Sequence, residues 1–393
     1  MNVLAIGCVW TGMKSFFYEG EERSNGMPAF YNVFIRLLND PRIDTIYLLL
    51  LTTKQQVKIP AKYKDKLVVY PYPYDHTNKI HALFVFLKIL FRGLVIVKSK
   101  GIQRLIGFGP EAGLTAILGK LTGIPDFRRL YGSFLINEID TPWFKLFLKH
   151  PLEYLSLAVK GKGLLITNDG TKGDLVFEKF GNKKMPFHFL LNGVDLDLKD
   201  KTTPPDFQLP DRYLSYVARV EPWKSQHLLI DALGVLKAEN YDFPPLYIVG
   251  NLQDKSYISL LKEKTQKHGL ADKVFFMNGL PITQAHYVLQ YSAITYSLYH
   301  TSNLGNVFLE SMRLGAVMIA LNDTGSLNVV DKRAFCEILS NDPVTIAHST
   351  KKILADSSLR SDIANNAVST AERILQDWST RANHEINLIL SHD

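Results

Sequence analysis

Two Rossmann-like α/β domains facing across a cleft, with the last helix returning to the first domain, is the architecture this sequence predicts. Three observations carry it. Strand-like runs alternate with helical patterns from end to end, as in parallel sheets with crossover helices. At 393 residues the chain is too long for one ordinary core. A polar, proline-rich break at Lys199–Asp211 interrupts the alternation near the middle. The predicted domains are 1–198 with about 375–393 added, and 199–374.

In the first half the expected strands are Val3–Ile6, Thr45–Leu51, Leu67–Tyr70, Arg104–Ile106, Phe127–Tyr131 and Leu164–Thr167. Helices Pro28–Leu38 and Glu111–Thr122 lie between them, the first opened by a proline. After the break come strand Tyr213–Val217, helix Ser225–Glu239, strand Leu246–Val249, helix Tyr257–His268 and strand Val274–Met277. Strand Ile294–Ser297, helix Asn306–Leu314 and strand Val317–Leu321 follow. One long amphipathic helix over Ser358–Leu390 closes the chain. Ligands of such folds bind at the carboxyl ends of the strands.

Composition narrows the class. Hydrophobic content of 46% and charged content of 21% are globular values. Cys8 and Cys336 are far apart in apolar surroundings, which fits a reducing, cytoplasmic setting without a structural disulfide. The opening Met1–Cys8 lacks a basic leader and a cleavage site and reads as a buried strand. The net charge of +7 suits phosphorylated small molecules or anionic lipid. No nucleic-acid-binding motif is present, so nucleic acid is discounted as a partner.

The chemistry concentrates in two segments. Arg219-Val-Glu-Pro-Trp-Lys224 follows a strand and precedes a helix, which places two cations at a ligand-facing edge. Arginine offers a planar fork to phosphate oxygens and lysine a compact charge. Gly305 precedes a helix whose first turn holds Asn306 and Val307, an anion site by its N–H groups and dipole. Glu310 lies one turn further, where it can accept hydrogen bonds from ribose hydroxyls. Taken singly, each has a plainer reading as a solvated loop cation, a turn glycine or a surface acid.

Taken together they resemble the retaining glycosyltransferases of family four. Tyr213–Leu229 is similar to the segment that opens that family's second domain, and Tyr247-Ile-Val-Gly250 to its next strand and glycine turn. Leu298–Val330 looks like its donor-site helix and following strand, ending in Asn322-Asp-Thr-Gly325, and Asn192-Gly-Val-Asp195 like the turn that ends its first domain. The likeness covers most of residues 160–335. It implies the GT-B architecture and transfer of a hexose-type sugar from a UDP- or GDP-linked donor, without a metal, to a glycan or lipid-linked acceptor in cell-surface assembly. By the resemblance Arg219 and Lys224 bind the diphosphate, Glu310 the ribose, and backbone near Gly305 the distal phosphate. The base rests near Asn278, Gly279 and Leu280.

Two departures fall on the sugar side. Where the family places a second glutamate, eight residues before Glu310, stands Ser302, so Ser302 or Asn303 would give neutral hydrogen bonds instead. The segment Arg128–Ser133, which includes Tyr131 and Gly132, lacks the histidine many members keep there. The acceptor side is expected around Gly12 and Gly26, which flank a charged loop, around Tyr131 and Gly132, and around Asn168.

Lys79–Lys100 carries five basic residues and no acid within an apolar run, as does, less cleanly, Trp143–Lys162 with Lys145, Lys149, Lys160 and Lys162. Lys88 and Arg92 interrupt the first run at helical spacing, which argues against a membrane span. Both segments fit peripheral contact with an anionic membrane, such as the inner face of the plasma membrane. The plainer reading of Lys79–Lys100 is a helix buried beneath the sheet with solvated lysines. Two other classes compete with the transferase: a non-catalytic sugar-nucleotide-binding subunit of a glycan-assembly complex, and an NAD enzyme. Gly7-Cys-Val-Trp-Thr-Gly12 lacks the glycine fingerprint the latter needs.

Overall fold

The computed structural model describes all residues except Trp10, Asn25–Met27, Gln55, His76, Asp323 and the last two. The chain divides into two compact units: residues 1–168, 172–193 and 378–393, and residues 169–171 and 194–377.

The first unit contains strands β1 (Asn2–Cys8), β2 (Thr45–Thr52), β3 (Leu67–Pro73), β4 (Ile102–Phe108), β5 (Asp126–Leu130), β6 (Gly163–Thr167) and β7 (Phe187–Leu190). Its helices are α1 (Pro28–Asn39), α2 (Lys79–Lys100), α3 (Ala112–Thr122), α4 (Trp143–Lys149), α5 (Pro151–Ala158) and α6 (Gly173–Phe180), joined by the C-terminal helix Trp378–Leu390. The sheet is parallel in the order β3-β2-β1-β4-β5-β6-β7. Strand order reverses between β1 and β4, which opens a crevice at their carboxyl ends. β1 is buried on both faces, as a central parallel strand must be. Val3 and Ala5 pack toward Phe30, Phe34 and the C-terminal helix, whereas Leu4 and Ile6 pack toward Val85 and Ile89 of α2.

The second unit has strands β8 (Leu214–Val217), β9 (Leu246–Val249), β10 (Val274–Met277), β11 (Ile294–Ser297), β12 (Met318–Leu321) and β13 (Cys336–Ile338). Helices α7 (Gln226–Ala238), α8 (Lys255–Lys267), α9 (Ile282–Tyr291), α10 (Asn306–Leu314), α11 (Pro343–Ala355) and α12 (Ser357–Ile374) surround them. The parallel order is β10-β9-β8-β11-β12-β13, with the reversal between β8 and β11.

Several expectations need correction. The long last helix is two helices, broken at Leu375–Asp377 with Leu375 extended. No proline or glycine marks the break; it is set by tertiary contacts. The Gln376 carbonyl accepts from Val194 N–H at 2.9 Å, and Trp378 packs so closely on Gly193 that an added Cβ would lie 2.9 Å away. The Lys199–Asp211 segment is no free tether either: Phe207 stacks on Tyr247 within the second unit at 5.9 Å between centroids. Strands β7 and β13 and helices α9 and α11 were not foreseen, being short or weakly periodic.

α2 also departs from expectation. Its 22 residues, with mean hydropathy 2.2 over an 18-residue window, are long and apolar enough to cross a bilayer by length and composition, despite Lys88 and Arg92. Nor is it buried beneath the sheet. Ala82, Val85, Ile89, Gly93 and Ile96 are buried, but Ile80, Leu83, Phe84, Leu87, Phe91 and Val95 form an exposed apolar stripe on the other side. Asn78 caps the helix through its side chain, accepting from His81 N–H at 3.0 Å, and Gly101 ends it in the left-handed region.

Candidate functional site

At the carboxyl edge of the second sheet, the loop after β8 turns sharply. Ser225 adopts φ +57°, a conformation unusual for a non-glycine residue, and α7 starts directly after it. Gln226 holds the turn from inside by donating its side-chain amide to the Arg219 carbonyl at 2.9 Å. Gly250, after β9, is required for the neighbouring loop to close in: a Cβ there would lie 1.7 Å from the Ala218 carbonyl oxygen.

This turn presents Arg219 and Lys224. Arg219 is exposed, its guanidinium 3.0 Å from Glu221 and 5.6 Å from the Trp223 ring centroid. Lys224 is held differently. Its ammonium lies 3.8 Å from the Trp223 centroid and 3.5 Å from that of Tyr299, a cation–π cradle. Among the described residues no carboxylate lies within ion-pair distance of it. Burial, then repulsion from Arg219, pushes its pKa down to about 7, partly offset by Glu221 and Asp169. A desolvated cation beside a second cation is what an incoming polyanion stabilises. Sequence reasoning missed Trp223 and Tyr299; the signal available was one aromatic next to each key segment.

The loop from β11 to α10 forms the second wall. Gly305 caps α10 with extended backbone and no side chain over the helix's positive end. Glu310 lies within that helix and is oriented by His286 of α9 at 3.2 Å, both side chains nearly buried. His286 was invisible to motif reading because the pairing joins two helices. Asn278, Gly279 and Leu280 follow β10 in a largely exposed loop, and an added Cβ on Gly279 would meet only Asn251 N at 3.9 Å. That leaves open space for a flat ring.

Ser302 and Asn303 separate in role. Asn303 is fully buried and donates its amide to the Leu321 carbonyl at 2.8 Å, which braces the loop against β12. Ser302, at φ +55°, donates to Asp169 Oδ2 at 3.0 Å.

In the first unit the corresponding carboxyl edge carries acids and neutral groups. Glu111, at the start of α3, is buried beside the Cys8 thiol, and burial pushes its pKa up to about 7. Glu153 is likewise raised by burial and accepts from Ser133 Oγ at 2.7 Å. Tyr131 stands over the Arg129 guanidinium at 4.3 Å, followed by Gly132 at φ +123°. Asn168 is half-buried, its N–H donating to Leu190. Gly12 sits in a buried turn at Thr11–Met13, while Gly26 lies outside the described residues. The loop between them, expected to be charged, also carries apolar residues. It sends Met13, Phe16 and Phe17 into the core, and Glu21 and Arg23 pair with each other. Among the described residues no cluster of three or more His, Cys, Asp or Glu side chains is placed to hold a metal ion.

Residues 200–370 match the family described as "Glycosyl transferases group 1". No curated protein matches the chain by sequence. Among solved structures, HepE of Anabaena, in complex with UDP and glucose, is 16% identical with a TM-score of 0.69, covering 100% of this chain and 99% of that one. Sucrose-phosphate synthase of Thermosynechococcus elongatus is 14% identical with a TM-score of 0.69, covering 98% of each chain. WaaG, a glycosyltransferase involved in lipopolysaccharide biosynthesis, is 14% identical with a TM-score of 0.68 and full coverage of both. The fold is the α/β GT-B architecture of two Rossmann-like domains, and the family match falls within the second.

Proposed function

We propose that the protein is a retaining glycosyltransferase that moves a hexose-type sugar from a nucleoside diphosphate donor to a lipid-linked or glycan acceptor. The observation that carries this reading is Lys224, a desolvated cation in an aromatic cradle and under repulsion from Arg219. The two cations and the helix end gather the diphosphate, and Glu310 takes the ribose. In the reaction the bond from the anomeric carbon to the phosphate oxygen breaks, and a bond to the acceptor oxygen forms on the same face. The acceptor proton passes to the departing diphosphate. Stabilising that leaving group is the largest catalytic contribution, and here side-chain and backbone cations supply it. No metal is needed in this scheme.

HepE is solved in complex with UDP-glucose, which supports a nucleotide sugar as the ligand. A panel of UDP- and GDP-sugars, read by thermal shift and by release of the nucleoside diphosphate, tests the proposal. One donor should shift the melting temperature and turn over. Arg219→Ala with Lys224→Ala should cut its affinity at least ~100-fold, two charge-assisted contacts at ~1.5–3 kcal/mol each. If nucleotide sugars bind but none turns over with any acceptor, the reading as a non-catalytic binding subunit replaces this one.

A specific observation favours an acceptor held at a membrane. The exposed stripe of α2 is flanked by Lys79, Lys88, Arg92, Lys98 and Lys100, and α4 adds exposed Trp143, Phe144 and Leu148 beside Lys145 and Lys149. Apolar side chains rimmed by cations without an acid on α2 fit the headgroup region of an anionic bilayer. These features support a peripheral position on such a surface, the inner face of the plasma membrane in a cytoplasmic protein. Cosedimentation with vesicles containing phosphatidylglycerol, but not with neutral ones, is the expected result, lost in Phe84→Glu with Leu87→Glu. Equal binding by that variant, or dimerisation through the stripe in solution, would reject the membrane reading.

A further inference from the structure

The family-like glutamate is missing at position 302, yet a carboxylate stands next to that position. Asp169 follows β6 in sequence but packs within the second unit. Its backbone carbonyl accepts from Leu304 N–H at 3.0 Å, and the Gly170 carbonyl accepts from Ser326 Oγ at 2.9 Å. Gly170, at φ +95°, allows this approach: an added Cβ would lie 2.5 Å from Asn303 Oδ1. The segment is thus held against Asn303 and Leu304, in the loop that leads into α10, and against Ser326 beyond β12.

The Asp169 carboxylate is fixed in rotamer. Oδ1 accepts from Thr171 N–H at 3.1 Å and Thr171 Oγ1 at 2.7 Å, and Oδ2 accepts from Ser302 Oγ at 3.0 Å. Oδ1 thus already accepts two bonds, while Oδ2 accepts one and keeps a lone pair. Burial raises the pKa of the carboxyl above its ordinary value, and the hydrogen bonds from Thr171 and Ser302 act against that rise by favouring the ionised form. Asp169 also stands within the electrostatic reach of Lys224. A serine side chain followed by one hydrogen bond spans about the length of a glutamate side chain. The oxygen that a glutamate at 302 would supply is therefore delivered from the adjacent loop.

We infer that Asp169 is the carboxylate that binds hydroxyls of the donor sugar, and that Ser302 is its positioning residue. The inference rests on the glycosyltransferase reading. It differs from the neutral hydrogen bonding that Ser302 and Asn303 alone would give. An ionised acceptor makes stronger bonds to hydroxyls than a neutral one and disfavours donors that lack them.

The test is a relocation of the carboxylate. It uses the nucleotide sugar on which the wild-type chain turns over, and the matching bare nucleoside diphosphate. Asp169→Asn should lower kcat/KM for the nucleotide sugar by ~10–100-fold, the range for one charged hydrogen-bond acceptor. Its affinity for the bare diphosphate should stay within about threefold, which also shows that the variant is folded. Ser302→Glu alone should lose activity by setting two carboxylates side by side. Asp169→Ser with Ser302→Glu should recover well above either Asp169→Ser or Ser302→Glu. Wild-type turnover by Asp169→Asn, loss of bare-diphosphate binding in that variant, or a double variant no better than the singles would overturn the assignment. A wild-type chain that binds no nucleoside diphosphate would instead reject the transferase reading itself.

Discussion

The two sheets share a parallel, doubly wound order with one reversal each, yet their carboxyl edges treat charge in opposite ways. In the first unit, charges near the edge are neutralised from within. Arg129 and Arg381 share the fully buried Glu385 at 2.7 and 2.9 Å, and Glu111 is held toward its neutral form by burial. In the second, Lys224 is desolvated against aromatic rings, and among the described residues no carboxylate lies within ion-pair distance of it. The difference teaches that the fold fixes where a ligand can sit, while uncompensated charge says which kind. A region that balances its own charges serves the fold; a region that leaves one unbalanced serves a partner.

The largest expected effect lies on the balanced side. Glu385→Ala strands two buried guanidinium groups and should cost about 3–5 kcal/mol in chemical denaturation. A loss below ~1 kcal/mol would mean that water already screens the cluster. Glu111→Gln sharpens the same side in the other direction. Its folded pKa of about 7 stands above the ordinary value of 4.5, so the native state holds a proton that the unfolded chain releases across that window. Stability therefore falls as pH rises from 4.5 to 7, and the glutamine variant should gain about 1–3 kcal/mol at pH 8 with little change at pH 4.5. Urea melts at the two pH values decide this, and equal gains at both would remove the charge explanation.

On the unbalanced side the effects fall on binding. Lys224 has a folded pKa below that of the unfolded chain, so keeping it charged works against the ligand-free fold below pH 7 and is relieved as pH rises toward 10.5. Lys224→Met should thus melt no lower than wild type without ligand, yet lose the thermal shift given by a nucleoside diphosphate. A lower melting temperature without ligand would place the lysine on the structural side of the comparison. The smallest effect is the pH profile of that binding. A diphosphate prefers the ammonium form, so affinity should hold below pH 7 and fall by at most about tenfold per pH unit above it. Titration calorimetry at pH 6.5, 7.5 and 8.5 reads this, and a flat profile would contradict the depressed pKa.

Much of this was legible in the sequence because it depends on local pattern. Short strand-like runs gave β9, β10 and β11 with their full ranges, and helical patterning gave α10 with its own. Arg219, Lys224, Gly305 and Glu310 could be placed at one sheet edge because each flanks a strand or opens a helix. What stayed hidden depends on residues distant in sequence. His286 meets Glu310 from another helix, Tyr299 completes the lysine cradle from another strand end, and the Gln376–Val194 contact breaks a helix that its own residues would have continued.

By itself the sequence determined the architecture and the positive character of one edge, because apolar runs, helix starts and charge are written in consecutive residues. Only the tertiary structure decided where the missing carboxylate went. Ser302 announces an absence, and Asp169 fills it from 133 positions away through one 3.0 Å hydrogen bond. No local pattern encodes such a pairing, since it exists only once two loops are folded against each other.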